Sequence, residues 1–205
     1  MIFLGLFIFF IFLLAYYRKK GLRDQESIEE AFWERENEAN HVRRKDIGSL
    51  PYITIPLEKF PINICDDPKL IECEAKLKQL SGCRILNLEH QSNTDLKMLY
   101  GPANLEALTE CGEHFTDLCR TLVSYAQALR DLNYRREAQT VLEFGIDCGS
   151  DHSKNYELLA SLYQEQENTA GLKELLANAK TLRTPMKASI ISHLEDALAA
   201  CRTAQ

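Results

Sequence analysis

Residues 122–145 read LVSYAQALRDLNYRREAQTVLEFG, and residues 156–179 read YELLASLYQEQENTAGLKELLANA. Laid one above the other, they put Leu122 over Tyr156, Ala126 over Ala160, Leu129 over Tyr163, Leu142 over Leu176 and Gly145 over Ala179. Every pair has the same offset (160 − 126 = 34, 179 − 145 = 34). Small and large apolar residues recurring at a period of that length mark a stack of helical hairpins, in which each unit buries its apolar face against its neighbours. The period predicts an all-α protein that binds other chains in preference to doing chemistry.

The bulk properties narrow the reading further. A chain of 205 residues holds one modest domain plus appendages. Its net charge of −6 argues against a nucleic-acid binder, which would be basic. Seven cysteines are scattered at positions 65, 73, 83, 111, 119, 148 and 201. No two are spaced C-x-x-C, so neither a zinc ribbon nor a thioredoxin-like redox site is encoded. An odd count without a framework suits a reducing compartment, where a buried Cys acts as a small hydrophobe.

Residues Ile2–Tyr17 read IFLGLFIFFIFLLAYY, with no charge before Arg18, Lys19 and Lys20. At ~1.5 Å per residue this run spans about 24 Å, against a hydrocarbon core of about 30 Å. Tyr16 and Tyr17 at the interface, with Arg18 and Lys19 snorkelling, cover the shortfall. The basic cluster follows the run, and Leu14-Ala15-Tyr16-Tyr17 is a poor cleavage site, so a secretory leader is disfavoured. The expectation is an N-terminal transmembrane helix within residues 1–20 that contacts the lipid bilayer through residues 2–17. The positive flank places the N-terminus outside and the rest in the cytoplasm, as a single-pass protein of the cell membrane.

Residues 21–46 read as a charged juxtamembrane helix. Ser27-Ile28-Glu29-Glu30 has the form of a capping box, though the Glu30/Glu34 and Glu34/Glu38 pairs repel. Phe32 and Trp33 are its one large apolar feature, and Arg43, Arg44 and Lys45 form a second basic cluster. In residues 47–66, Pro51, Pro56 and Pro61 enforce an extended path. Tyr52, Ile53, Ile55, Leu57 and Phe60 are too apolar for a free linker and are expected against the globular domain, with room for a short edge strand at Tyr52–Ile55. Residues 67–118 hold the N-terminal helices. Asp67-Pro68 is an N-cap followed by Pro at the first helical position. Leu70, Cys73, Leu77 and Leu80 form a stripe that Gly82 closes at C′. Residues 84–88 read either as an extended piece or as a packed connector. Ser92-Asn93-Thr94-Asp95 is a cap-rich turn, Gly101-Pro102 breaks the chain, and 102–112 reads as a separate short helix.

The segment 119–186 resembles the tetratricopeptide repeat, a helix-turn-helix unit whose length matches the period. Taking the units as 119–152 and 153–186, the family's large and small positions fall on Leu122, Tyr125, Ala126, Leu129, Ala138, Leu142 and Gly145. In the second unit they fall on Tyr156, Leu159, Ala160, Tyr163, Leu172, Leu176 and Ala179. Leu172 departs from the family's Ala, and the usual Pro is absent from both units, although Pro185 sits one residue late. Ala188, Ile191, Leu194, Ala197, Leu198 and Cys201 make residues 187–205 a capping helix. The expected architecture is a short hairpin array with non-repeat flanking helices. The layout, a short anchor before a small array, is similar to that of small single-pass membrane proteins.

The resemblance implies that the first helix of each unit lines a groove for a protein partner. The groove positions are Arg120, Val123, Gln127, Arg130, Lys154, Glu157, Ser161 and Gln164. Val123 and Gln127 are not the Lys and Asn that the family's carboxylate clamp uses. For catalysis, Glu89-His90 with Asp95, or Cys119 with His114, are the nearest things to a reactive set, and neither is a recognisable pattern. No phosphate-binding glycine loop or metal-ligand spacing is present, so no cofactor, metal or catalytic residue is assigned. The chain reads as a membrane-anchored adaptor or scaffold, with a structural subunit of a larger membrane complex as the alternative and an enzyme third.

Overall fold

The period of the sequence reappears as helix boundaries. The computed structural model describes residues 2–203, leaving out the side chains of residues 2–6, 8, 15, 22–24 and 202–203. Among the described residues there are eight α-helices and no β-strand. They are α1 (Ile2–Asn40), α2 (Pro68–Ser81), α3 (Asn93–Tyr100), α4 (Leu105–Asp131), α5 (Arg135–Asp147), α6 (Ser153–Glu165), α7 (Thr169–Thr181) and α8 (Lys187–Thr203). Both bounds of α7 lie one full period beyond those of α5 (169 − 135 = 34, 181 − 147 = 34).

The chain divides into two compact units. The first comprises Met1–Ser49 and Gln91–Glu106. There α1 packs on α3 through polar contacts: Arg35 to Asp95 at 2.5 Å, Thr94 to Glu36 at 2.8 Å, and Lys97 to both Glu36 and Asn40. The hydrogen bond from Lys97 holds the Glu36 carboxyl below the usual carboxylate range. Ser92 and Asp95 form a reciprocal capping box at the start of α3. Gly101 turns the chain at φ +86°, where a Cβ would meet the Arg44 backbone at 2.8 Å. Buried Asn104 ties the loop down, donating to the carbonyls of Lys45 and Tyr100 and accepting from Arg44 Nε.

Three expectations for this region are corrected. First, among the described residues no helix is long and apolar enough to cross a membrane. The apolar run stops at Tyr17, and Arg18, Lys19, Lys20 and a strongly charged stretch continue the same helix to Asn40. The expectations of a single-pass membrane protein, of an outside N-terminus and of a cytoplasmic domain rested on that span and fall with it. The expected contact with a lipid bilayer involves residues 2–17. Part of that stretch, the side chains at 2–6, 8 and 15, lies outside the described residues. Its described large side chains, from Phe7 to Tyr17, are exposed. Second, the Ser27 capping box starts no helix, because α1 runs through it unbroken. Third, residues 102–112 are not a separate helix. The segment 113–118 contains no breaker, and Phe115 and Leu118 continue the buried stripe, so α4 runs from Leu105 to Asp131.

The second unit comprises Leu50–His90 and Ala107–Gln205. Asp67 caps α2 by accepting from the Lys69 and Leu70 amides at 2.9 and 3.2 Å. Gly82 ends that helix in the right-handed region, φ −86°, not as the left-handed C′ residue that its position predicted. Residues 50–66 carry only a 3-10 turn, Leu57–Lys59, and no edge strand. A single bond from Ile53 N–H to Ile85 O gives the segment no ladder to join. Its Ile55 and Phe60 are buried in the common core. The Tyr125 hydroxyl donates to Pro61 O at 2.9 Å and towards buried Glu74, whose Oε1 also accepts from the Asn63 amide. This staple fixes the extended segment and α2 to α4, and burial raises the Tyr125 phenol above its usual range.

From α4 onward three helix ends have the same closure. Asn133 (φ +67°), Gly149 (φ +81°) and Glu167 (φ +54°) adopt the left-handed conformation. After each, an amide reaches back to the last turn of the helix: Tyr134 to Leu129 O, Ser150 to Gly145 O and Asn168 to Tyr163 O, at 2.8 to 3.0 Å. These are Schellman closures, which satisfy otherwise orphaned carbonyls and reverse the chain. The two within-hairpin turns are themselves one period apart (167 − 133 = 34). The reversed helices pack α5 on α6, α6 on α7, and α8 on both α6 and α7. Leu122, Ala126, Leu129, Ala138, Leu142, Tyr156, Ala160, Tyr163 and Leu172 are all buried, so the core accommodates the Leu that stands opposite Ala138 in the period. At Gly145 a Cβ would lie 2.6 Å from the Asn155 amide nitrogen, which donates to Leu142 O. The absence of that Cβ lets α5 and α6 approach.

Substitutions at two positions test this packing. Glu167 is an L-residue other than Asn or Gly at φ +54°, so Glu167→Gly should stabilise the fold by about 0.5–1 kcal/mol and Glu167→Val should destabilise it. Urea denaturation followed by circular dichroism measures both, and a neutral or destabilising Gly would contradict the left-handed turn. Gly145→Ala should cost about 1–3 kcal/mol by overpacking. The cost should fall towards zero in an Asn155→Ala background, and an undiminished cost there would show that Asn155 is not the group Gly145 accommodates.

Candidate protein-binding groove

The buried stripe of α2, Leu70, Glu74, Leu77 and Leu80, turns one face of that helix to the core. Lys69, Glu72, Cys73, Lys76 and Gln79 then stand along its flank. On α4, Asp117, Arg120, Thr121 and Ser124 form the facing edge. Lys76 Nζ meets Asp117 Oδ2 at 2.8 Å across the seam. Either side of this bridge the seam opens. One opening, about 650 Å³, is lined by Lys69, Glu72, Cys73, Ala75, Thr121 and Ser124. The other, about 510 Å³, is lined by Leu80, Cys83, Glu113, His114, Thr116 and Asp117. Both share Lys76, Gln79 and Arg120, so they are two sections of one groove, divided at the bridge. The Lys76 hydrogen bond, aided by the charges of Arg120 and His114, holds the Asp117 carboxyl below its ordinary range.

The groove positions predicted from the repeat resemblance go to several places. Arg120 is exposed and lies in the α2–α4 groove. Val123 is half-buried and packs on the core. Gln127 bonds Asp131 within α4 at 2.8 Å. Arg130 reaches Ser161 Oγ at 3.0 Å, tying α4 to α6, and Ser161 donates in turn to Leu158 O. Lys154 pairs with Glu157 at 3.2 Å on the surface of α6. Gln164 donates to Ala197 O, where α8 packs against α6. The structure thus brings Arg130 and Ser161 together and puts Arg120 among residues of α2. Lys69, Lys76 and Gln79 were not among the predicted positions. They lie well before the repeats in the chain, and their one sequence signal is a polar flank beside a regular apolar stripe.

The members of the suggested acid-base sets have other partners. Asp95 belongs to the first unit and is engaged by Ser92 and Arg35. Glu89 belongs to the second unit and meets Asp151 instead. His114 bonds the Arg84 carbonyl. Asn87 donates to the carbonyls of Cys148 and Gly149, which docks the connector after α2 on the turn before α6. Glu89 is exposed as a residue, yet its carboxyl is partly withdrawn from water beside Asp151. Burial, then the Asp151 charge, raises it to about 7. Burial pushes the Cys119 thiol up to about 11 and Cys148 to about 12, which makes both poor nucleophiles at neutral pH. Among the described residues no group of three or more His, Cys, Asp or Glu is placed to hold a metal ion.

No protein-family model matches this chain, and no characterised protein or solved structure shows significant similarity to it.

The Glu89 carboxyl gives a pH prediction. Its folded value near 7 lies above its ordinary 4.5, so the fold favours the protonated form. Its stability contribution is fully present below about pH 4.5 and is lost as pH rises through about 7. Glu89→Gln should therefore gain stability relative to wild type between pH 5 and pH 8. Thermal melts at both pH values give the difference, and a pH-independent difference would contradict the raised Glu89 value.

Proposed function

We propose that this chain is a protein-interaction module, an adaptor or scaffold that holds a protein partner on a tetratricopeptide-like helical surface. The observation that carries the reading is the open α2–α4 groove, with its mixed charged lining and exposed Arg120. The recurrence of helix bounds and left-handed turns at one common period supports the likeness to helical-hairpin repeats.

A second reading, a structural subunit of a larger complex, is favoured by a different feature. Ile28, Phe32 and Trp33 on α1 are 70%, 52% and 59% exposed. Apolar side chains of that size grouped on one helix are typical of an assembly surface.

Site-specific photocrosslinking distinguishes the two. A benzophenone amino acid at Ser124 in the groove should give a discrete protein adduct in the cells that produce the chain. The same probe at Lys173, an exposed position on α7, should not. Adducts only from a probe at Phe32 would favour the subunit reading. Equal labelling from Ser124 and Lys173 would contradict the groove.

A further inference from the structure

We infer that the α2–α4 groove receives an acidic segment of its partner, a short run of Asp and Glu side chains anchored by Arg120 and Lys69. This rests on the adaptor reading and gives the partner's chemistry.

The argument is one of local charge. The chain as a whole carries −6, yet the larger opening is lined by Lys69, Lys76 and Arg120 against Glu72 alone. Lys76 is already paired with Asp117 across the seam. Arg120 is not so occupied: among the described residues no hydrogen bond or ion pair ends on its guanidinium, which acts on Asp117 only through its charge. Lys69 likewise engages Asp67 through its backbone amide and not through its ammonium. With Lys76 paired, Lys69 and Arg120 outnumber the one carboxylate of this open cavity, Glu72. A guanidinium offers a planar fork that matches a carboxylate bidentately, and an ammonium adds a point charge with no directional demand. Cys73 and Ala75 supply apolar wall between them for the methylenes of a Glu side chain. A long polyanion such as nucleic acid would leave the groove and meet the negative charge of the rest of the chain, whereas a short acidic segment stays within it.

The test uses the full chain and two fluorescein-labelled peptides, one with three copies of Glu-Ala-Ala-Glu-Leu and the other the same sequence with Lys for Glu. Fluorescence anisotropy should show saturable binding of the Glu peptide and none of the Lys peptide. Arg120→Glu should weaken that binding at least tenfold, Lys69→Glu should weaken it in the same direction, and 0.5 M NaCl should do likewise. Circular dichroism melts of both variants establish that they fold. Equal binding of the two peptides, or an unchanged Kd in Arg120→Glu, would overturn the inference. If neither peptide binds while Ser124 still crosslinks a protein, the acidic partner is wrong and the adaptor reading stands. Sedimentation of the chain alone covers the remaining occupant. A self-associated species that Arg120→Glu dissociates would put the Glu-rich α1 of a second copy in the groove, and that too would overturn the inference.

Discussion

The second unit depends on three residues held at positive φ. Asn133, Gly149 and Glu167 each end a helix in the left-handed conformation, and each allows the amide that follows to close on a carbonyl of the helix's last turn. Without these closures the last carbonyls of α4, α5 and α6 would have no backbone partner, and the helices would have no fixed angle of return. With them, α5, α6 and α7 fold back in turn, and α8 packs on α6 and α7, so that the four bury one apolar face in common. The energetics follow from that order. The turns supply direction, while the buried Leu, Tyr and Ala side chains supply most of the stabilisation, at roughly 25 cal/mol per Å² of apolar surface removed from water.

The groove is a by-product of the same packing. The Tyr125 hydroxyl, Glu74 and the Pro61 carbonyl hold α2 and the extended segment on α4. Once α2 is fixed there, its polar flank must stand beside the polar edge of α4. The Lys76–Asp117 bridge is exposed on both sides, so it contributes little stability. It divides the seam and leaves Arg120 and Lys69 as the cations available to another molecule.

Much of this was legible in the chain, and the failures have identifiable causes. Asp67-Pro68 capped a helix because a carboxylate beside a free helix N-terminus and a residue lacking an amide both suit that position locally. The period between 122 and 179 was readable because each side chain's burial follows its place in a hairpin. Glu167 was not readable as a left-handed residue, since Glu has no intrinsic preference for that region and tertiary packing decides it. The Ser27 box misled because a capping signal inside a run of helix formers has no helix end to cap. Tyr52–Ile55 had strand composition but no partner strand. The apolar run at the N-terminus had the composition of a span, but among the described residues it gives no helix long and apolar enough to cross a membrane. Arg120 was expected in a groove lined by the first helices of the repeats, and it lies instead beside α2. Lys69, Lys76 and Gln79 were not legible, because their placement depends on a contact between distant segments.

The central claim is that left-handed turns close the hairpins in a repeating register. Amide hydrogen exchange measured by NMR at Tyr134, Ser150 and Asn168 tests it most directly, because amides just past a helix end are ordinarily open to solvent. The account predicts that all three exchange slowly, with protection close to that of the adjoining helix interiors. Exchange at unstructured-chain rates at these positions, with the helices themselves protected, would contradict it.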